Sequence, residues 1–178
     1  MNTETLATLL DAAIASTDPG LTTLSLDEVA ATLGCDVKAL KAHFADDEAL
    51  AIALHARHLE TMAGRIAALI DGMPAGRSRL QVAIEQFWDV CLGRLAFRRL
   101  IRMARRDPVV NEEIDRRSRT FVFLLIAELT AMGAPDSPAM APLVYAMTEA
   151  ISSDEMKAGH KLPALRAALW HLLDHDWN

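Results

Sequence analysis

Residues 25–50 read SLDEVAATLGCDVKALKAHFADDEAL, two short helical stretches that meet at a glycine. Ser25 and Glu28 have the spacing of a capping box, in which the Ser hydroxyl accepts from the amide three residues on and the Glu reaches back to the Ser25 amide. A helix is expected to start there. Val29, Ala30 and Leu33 recur at helical spacing, and Gly34, which tolerates positive φ, stands where that helix must stop. Asp36 can cap a second helix in which Val37, Leu40 and Phe44 turn inward. That leaves Lys38, Ala39, Lys41, Ala42 and His43 as the face that would meet a DNA groove. Asp46 is placed to cap a third, longer helix carrying Leu50, Leu54, Met62, Ile66 and Leu69. The pattern is that of a helix-turn-helix.

The segments LDEVAATLG and VKALKAHFADDEAL, with the His43-Phe44 pair and the Glu48-x-Leu50 step, resemble the N-terminal domain of the TetR (tetracycline repressor) family of transcriptional regulators over residues 6–69. The resemblance implies an all-α chain that binds duplex DNA as a homodimer and responds to a small hydrophobic ligand through a second helical domain. Departures from the family pattern fall on the DNA-facing positions. Lys38, Ala39, Leu40 and Lys41 stand where the family usually has a small residue, Thr, Leu and Tyr, so the Thr and Tyr that typically touch phosphate are absent. Asp47 stands where a Lys usually reaches the DNA backbone, which implies repulsion in place of contact.

Charge segregates along the chain. Residues 1–56 hold only Lys38 and Lys41 as cations, against Glu4, Asp11, Asp18, Asp27, Glu28, Asp36, Asp46, Asp47 and Glu48, whereas the whole chain of 178 residues has a net charge of −6. DNA affinity depends on cations that neutralise phosphate, so an acidic domain with two lysines predicts weak non-specific binding. The arginines follow later: Arg94, Arg98, Arg102 and Arg105 or Arg106 recur every four residues. That stripe reads as a solvated face, as a clamp on the acidic first domain, or as a site for an anionic partner.

Working outward, residues 4–16 form an amphipathic pattern with Leu6, Leu9, Leu10, Ala13 and Ile14 on one face, and Asp18-Pro19-Gly20 turns the chain back. The strongest break is Asp71-Gly72-Met73-Pro74-Ala75-Gly76. We therefore expect an N-terminal three-helix domain over residues 1–56, a connecting helix to about residue 70, and a helical ligand-binding and dimerisation domain over residues 57–178. In that second part, helices are expected from Ser78 to Cys91, from Asp107-Pro108 to about Met132, from Ser137-Pro138 to about Ile151, and from Leu162-Pro163 to about His175. No stretch alternates as a strand does.

Phe87, Trp88, Cys91, Phe97, Ile101, Phe121, Leu125, Tyr145 and Met147 can line an apolar cavity for an effector or serve simply as core; Glu128, on the face of Phe121 and Leu125, needs a partner or a cationic ligand there, unless it stands at the surface or at an interface, the reading that carboxylates favour in general. Met140, Leu143, Val144 and Met147, with Leu165, Leu169, Leu172 and Leu173, make two apolar stripes. In the family such helices pair across a four-helix dimer interface.

No His-Glu-x-x-His, nucleophile elbow or phosphate-binding glycine loop occurs, so neither an enzyme nor a cofactor is expected. His171 and His175 have i, i+4 spacing, but no third metal ligand is fixed beside them and a wet helix end explains them. His55 and His58 are expected as one surface and one partly buried residue. Cys35 and Cys91 suit reduced thiols. No apolar run reaches bilayer length and the start of the chain lacks a signal-peptide pattern, so a cytoplasmic protein is expected.

Overall fold

The computed structural model describes residues 3–17 and 20–174. Over those residues the chain is all-α, with nine helices: α1 Thr3–Ala15, α2 Leu26–Leu33, α3 Val37–Lys41, α4 Asp47–Ile70, α5 Arg77–Leu92, α6 Leu95–Ala104, α7 Pro108–Ala131, α8 Ser137–Ala158 and α9 Pro163–Leu173. The turn expected at Asp18-Pro19 lies outside the described residues, as do His175 and Asp176. The fourth long helix of the expectation is longer than its apolar stripe suggested: α8 runs on past Ile151 to Ala158, where Gly159 at φ 76° ends it.

Two compact units divide the chain, Met1–Met62 with Ala96–Arg117, and Ala63–Leu95 with Ser118–Asn178. The first therefore includes a segment that sequence order assigns to the second. The reason is packing: Phe97, Leu100 and Ile101 of α6 and Val110 and Ile114 of α7 are buried in one apolar cluster with Leu10, Val29, Leu40, Leu50 and Leu54. Each such side chain contributes roughly 1.5–3 kcal/mol on burial. A cluster drawn from six helices is not visible as one domain in the sequence.

Local signals build the helix-turn-helix. Ser25 accepts from the Glu28 amide at 3.2 Å, and Gly34 closes α2 at φ 65°, a conformation in which a Cβ would be strained. The other half of the expected capping box does not form. Glu28 instead binds the Thr22 and Thr23 amides at 2.6 and 2.8 Å and both Thr hydroxyls. Those bonds, the Thr23 hydroxyl and Thr22 amide foremost, hold its carboxyl at about 2. The orphan amide of Leu26 goes to Asp47 Oδ1 at 2.8 Å, so α2 is capped by the first residue of α4.

In the second unit α8 packs on α5 and α9. Trp88 is fully buried and donates its indole N–H to the Thr148 carbonyl at 2.9 Å, which ties α5 to α8. Arg166 of α9 is also buried, and it reaches Glu155 through Nε and Nη2, each at 2.7 Å, as well as Glu85 at 2.7 Å and Asp89 at 2.9 Å. Its guanidinium also lies 4.9 Å from the Trp88 ring centre. This one side chain joins three helices.

Candidate nucleic-acid interface and apolar cavity

In the first unit α3 turns Leu40 into the core and leaves Lys38, Ala39, Lys41, Ala42 and His43 exposed. Asp36 starts the helix by accepting from the Lys38 amide at 2.9 Å, and Phe44 just beyond it is buried. The five expected contact residues thus share an accessible surface. Their electrostatic setting is poor in cations. Lys41 Nζ lies 3.9 Å from Asp27 Oδ1, an exposed pair of little energetic weight. A free helix N-terminus can receive a phosphate through its amides, yet carboxylates already occupy these ends: Asp36 on α3, Asp46 on the Ala49 amide of α4 at 2.8 Å, and Asp47 on α2. Asp47, expected only to repel phosphate, is a structural cap.

The second unit contains a cavity of about 450 Å³. Ala63, Ile66, Ala67 and Ile70 of α4, Leu80, Ala83, Ile84 and Phe87 of α5, and Phe121, Leu124 and Leu125 of α7 supply its apolar wall, with Tyr145 and Thr148 from α8. Helical spacing explains this lining, because one face of each helix is apolar over two or more turns. Its ionic groups are Glu128 and Arg79. Arg79 donates from Nε to Glu128 Oε1 at 2.8 Å, and its Nη2 lies 2.6 Å from the same carboxylate. Glu128 Oε2 accepts the Gly76 amide at 2.8 Å. Glu128 is therefore half-buried and paired with Arg79 instead of standing at an open surface. Arg79 went unnoticed in the sequence because its partner is 49 residues away; the signal available was an arginine in the first turn of a helix that follows a glycine break.

Of the residues expected to line a cavity, Phe87, Phe121, Leu125, Glu128 and Tyr145 come together there. Phe97 and Ile101 do not: they are buried in the core of the first unit, a correction that follows from α6 packing with the helix-turn-helix. Trp88 and Cys91 are buried core residues and Met147 is half-buried, none of them on the cavity wall. The expected dimer stripes also divide. Val144, Leu169 and Leu173 are buried within the chain, whereas Leu143 and Leu172 are 64% and 59% exposed, Leu165 is exposed, and Met140 is half-buried. The half of each stripe that faces inward is consumed by the packing of α8 with α5 and α9.

The arginine stripe is shorter than its spacing suggests. Arg94 precedes α6, and Arg105 and Arg106 follow it, so only Arg98, Arg99 and Arg102 lie on the helix. Arg105 donates to Asn111 at 2.9 Å and pairs with Asp115. His55 and His58, expected to differ, are both buried. Neither ring nitrogen of His55 has a hydrogen-bond partner among the described residues, and burial, aided by Arg98, pushes its pKa down to about 3. His58 packs against Phe97 with ring centres 5.0 Å apart. Among the described residues no cluster of three metal-ligating side chains occurs, and no helix is long and apolar enough to cross a membrane.

No protein-family model matches the chain, and no curated protein matches it by sequence. Among solved structures it is similar to that of "the putative transcriptional regulator from Pseudomonas aeruginosa PAO1", with 19% identity, a TM-score of 0.71, and coverage of 98% of this chain and 91% of that one. At that identity the likeness is one of fold.

Proposed function

We propose that this protein is a TetR-like one-component transcriptional regulator, a repressor that binds duplex DNA as a homodimer and responds to a small apolar ligand. The observation that carries the reading is the exposed row Lys38, Ala39, Lys41, Ala42 and His43 on a second helix locked to the first by the Gly34 turn. The fold similarity to a protein described as a transcriptional regulator supports it. The cavity of the second unit supplies a place for a ligand, and the exposed Leu143, Leu165 and Leu172 supply surface for a second copy. The test is retention of random-sequence duplexes by the purified protein at low and moderate salt, followed by sequencing. A palindromic motif is expected. Two lysines per protomer allow only a shallow salt dependence, and Lys41→Ala, which removes two contacts from a dimer, should lower the slope of log K against log salt by about 2. Recovery of no motif even at low salt would refute DNA binding.

A second reading, a protein of this fold that has lost operator binding and binds a partner protein or a lipid-like ligand, is favoured by one observation. Asp36, Asp46 and Asp47 sit on the helix-start amides that phosphate would use. The same experiment separates the two.

A further inference from the structure

Among the described residues, the cavity in the second unit is lined by one pair of ionic groups, and they satisfy each other. Arg79 gives Nε and Nη2 to Glu128 and Nη1 to the Met73 carbonyl at 3.2 Å, so its charge is neutralised and three of its nitrogens are engaged. Glu128 receives both of those donors and the Gly76 amide, which takes three of the roughly four acceptor positions of a carboxylate. Thr148, also on the wall, already donates its hydroxyl to the Val144 carbonyl at 2.8 Å.

From this closed ion pair we infer that the cavity takes a neutral, mainly hydrocarbon ligand with one hydroxyl, of the size of a medium-length fatty alcohol or a substituted phenol. The inference rests on the reading of the second unit as the ligand-binding part, and it narrows that reading to a chemical class. An anionic head group would have to leave water for a site where Arg79 is already compensated and Glu128 repels it. A cationic head group would have to displace Arg79. Neither ion finds an uncompensated countercharge to offset its desolvation. A hydroxyl can donate to the remaining acceptor position of Glu128 while the hydrocarbon lies against Ile66, Ile84, Phe87, Phe121 and Leu125. A cavity of about 150 Å³ accommodates benzene, so about 450 Å³ is room for some three rings' worth of carbon, which is enough for a coiled twelve-carbon chain.

The full chain would be loaded with N-phenyl-1-naphthylamine and the dye displaced, below their micelle concentrations, by 1-dodecanol, dodecanoate or dodecylammonium at neutral pH. The alcohol is expected to displace the dye at concentrations about tenfold or more below those of either ion. Each variant should narrow the gap for one of the two ions. Glu128→Gln leaves Arg79 uncompensated and should favour dodecanoate about tenfold over the wild type, whereas Arg79→Met leaves Glu128 uncompensated and should favour dodecylammonium by a similar factor. The two variants move selectivity in opposite directions, an outcome that loss of folding in either cannot imitate. Equal or tighter binding of an ion by the wild type, or unchanged selectivity in both variants, would overturn the neutral class while leaving a ligand-binding unit in place. Failure of all three compounds and of the dye to bind would overturn both.

Discussion

His55 is the residue whose placement has the clearest consequence in solution. Its imidazole is buried with no hydrogen bond, and burial together with Arg98 keeps it neutral down to about pH 3. In the unfolded chain it would protonate near its ordinary 6.5. Between those values the unfolded state binds a proton that the folded state refuses, so stability falls as pH drops below about 6.5 and is fully present above it. The loss attributable to His55 should be about 1.4 kcal/mol per pH unit, or about 2 kcal/mol between pH 6.5 and 5. His55→Leu, similar in volume and without a titratable group, should flatten that acid limb in urea unfolding experiments. An unchanged slope between the two proteins would show that His55 does not contribute it. Glu28, held at about 2 by the Thr22 and Thr23 donors, acts only at lower pH, where its stabilisation is lost as the pH falls from 4.5 towards 2. The two residues are therefore separable above pH 5.

At the scale of elements, α9 is attached to its unit by a polar centre. Burial alone would push the Glu155 carboxyl up, but the Arg166 guanidinium and the Leu162 amide outweigh it and hold it below the usual range. Trp170 extends the network, with its indole N–H donating to Glu85 at 3.0 Å and Arg77 stacked 4.4 Å from its ring centre. Arg166→Ala would leave Glu155 buried and unpaired, at a cost of about 3–5 kcal/mol. Replacing both by methionine should recover much of that loss, because a buried pair contributes little over apolar packing while a lone buried charge costs a great deal. Thermal melts of the single and double variants check this; a double variant as unstable as the single one would mean that geometry rather than charge is at stake. The helix-turn-helix elements depend on short polar caps instead, with Ser25, Asp36, Asp46 and Asp47 each satisfying a helix-start amide.

For the whole molecule, the proposed homodimer turns on apolar side chains that α8 and α9 leave in solvent. Leu143 and Leu172 are mostly exposed, and Leu165 is also accessible. A charge introduced there should oppose self-association without disturbing the core, since Val144, Leu169 and Leu173 carry the internal packing. Leu143→Arg is expected to shift the protein from dimer to monomer in sedimentation velocity while its helical circular dichroism stays the same. A dimer that persists unaltered at micromolar concentration would place the interface elsewhere.

Local signals in the sequence determined the helices. Ser25, Gly34, Asp36 and Asp107-Pro108 lie at helix ends in the sequence as in space, because a cap acts across three or four residues. They also determined which face of α3 is exposed, since Leu40 and Phe44 are the large apolar side chains among lysines, alanines and a histidine. The tertiary structure decided what those signals cannot reach. It assigned α6 to the first unit and with it removed Phe97 and Ile101 from the cavity; it paired Glu128 with Arg79; and it gave Asp47 to the Leu26 amide. Each of these joins residues 21 or more apart, where the partner is selected by packing between helices, and periodicity reports that a side chain is turned inward without reporting what it will meet.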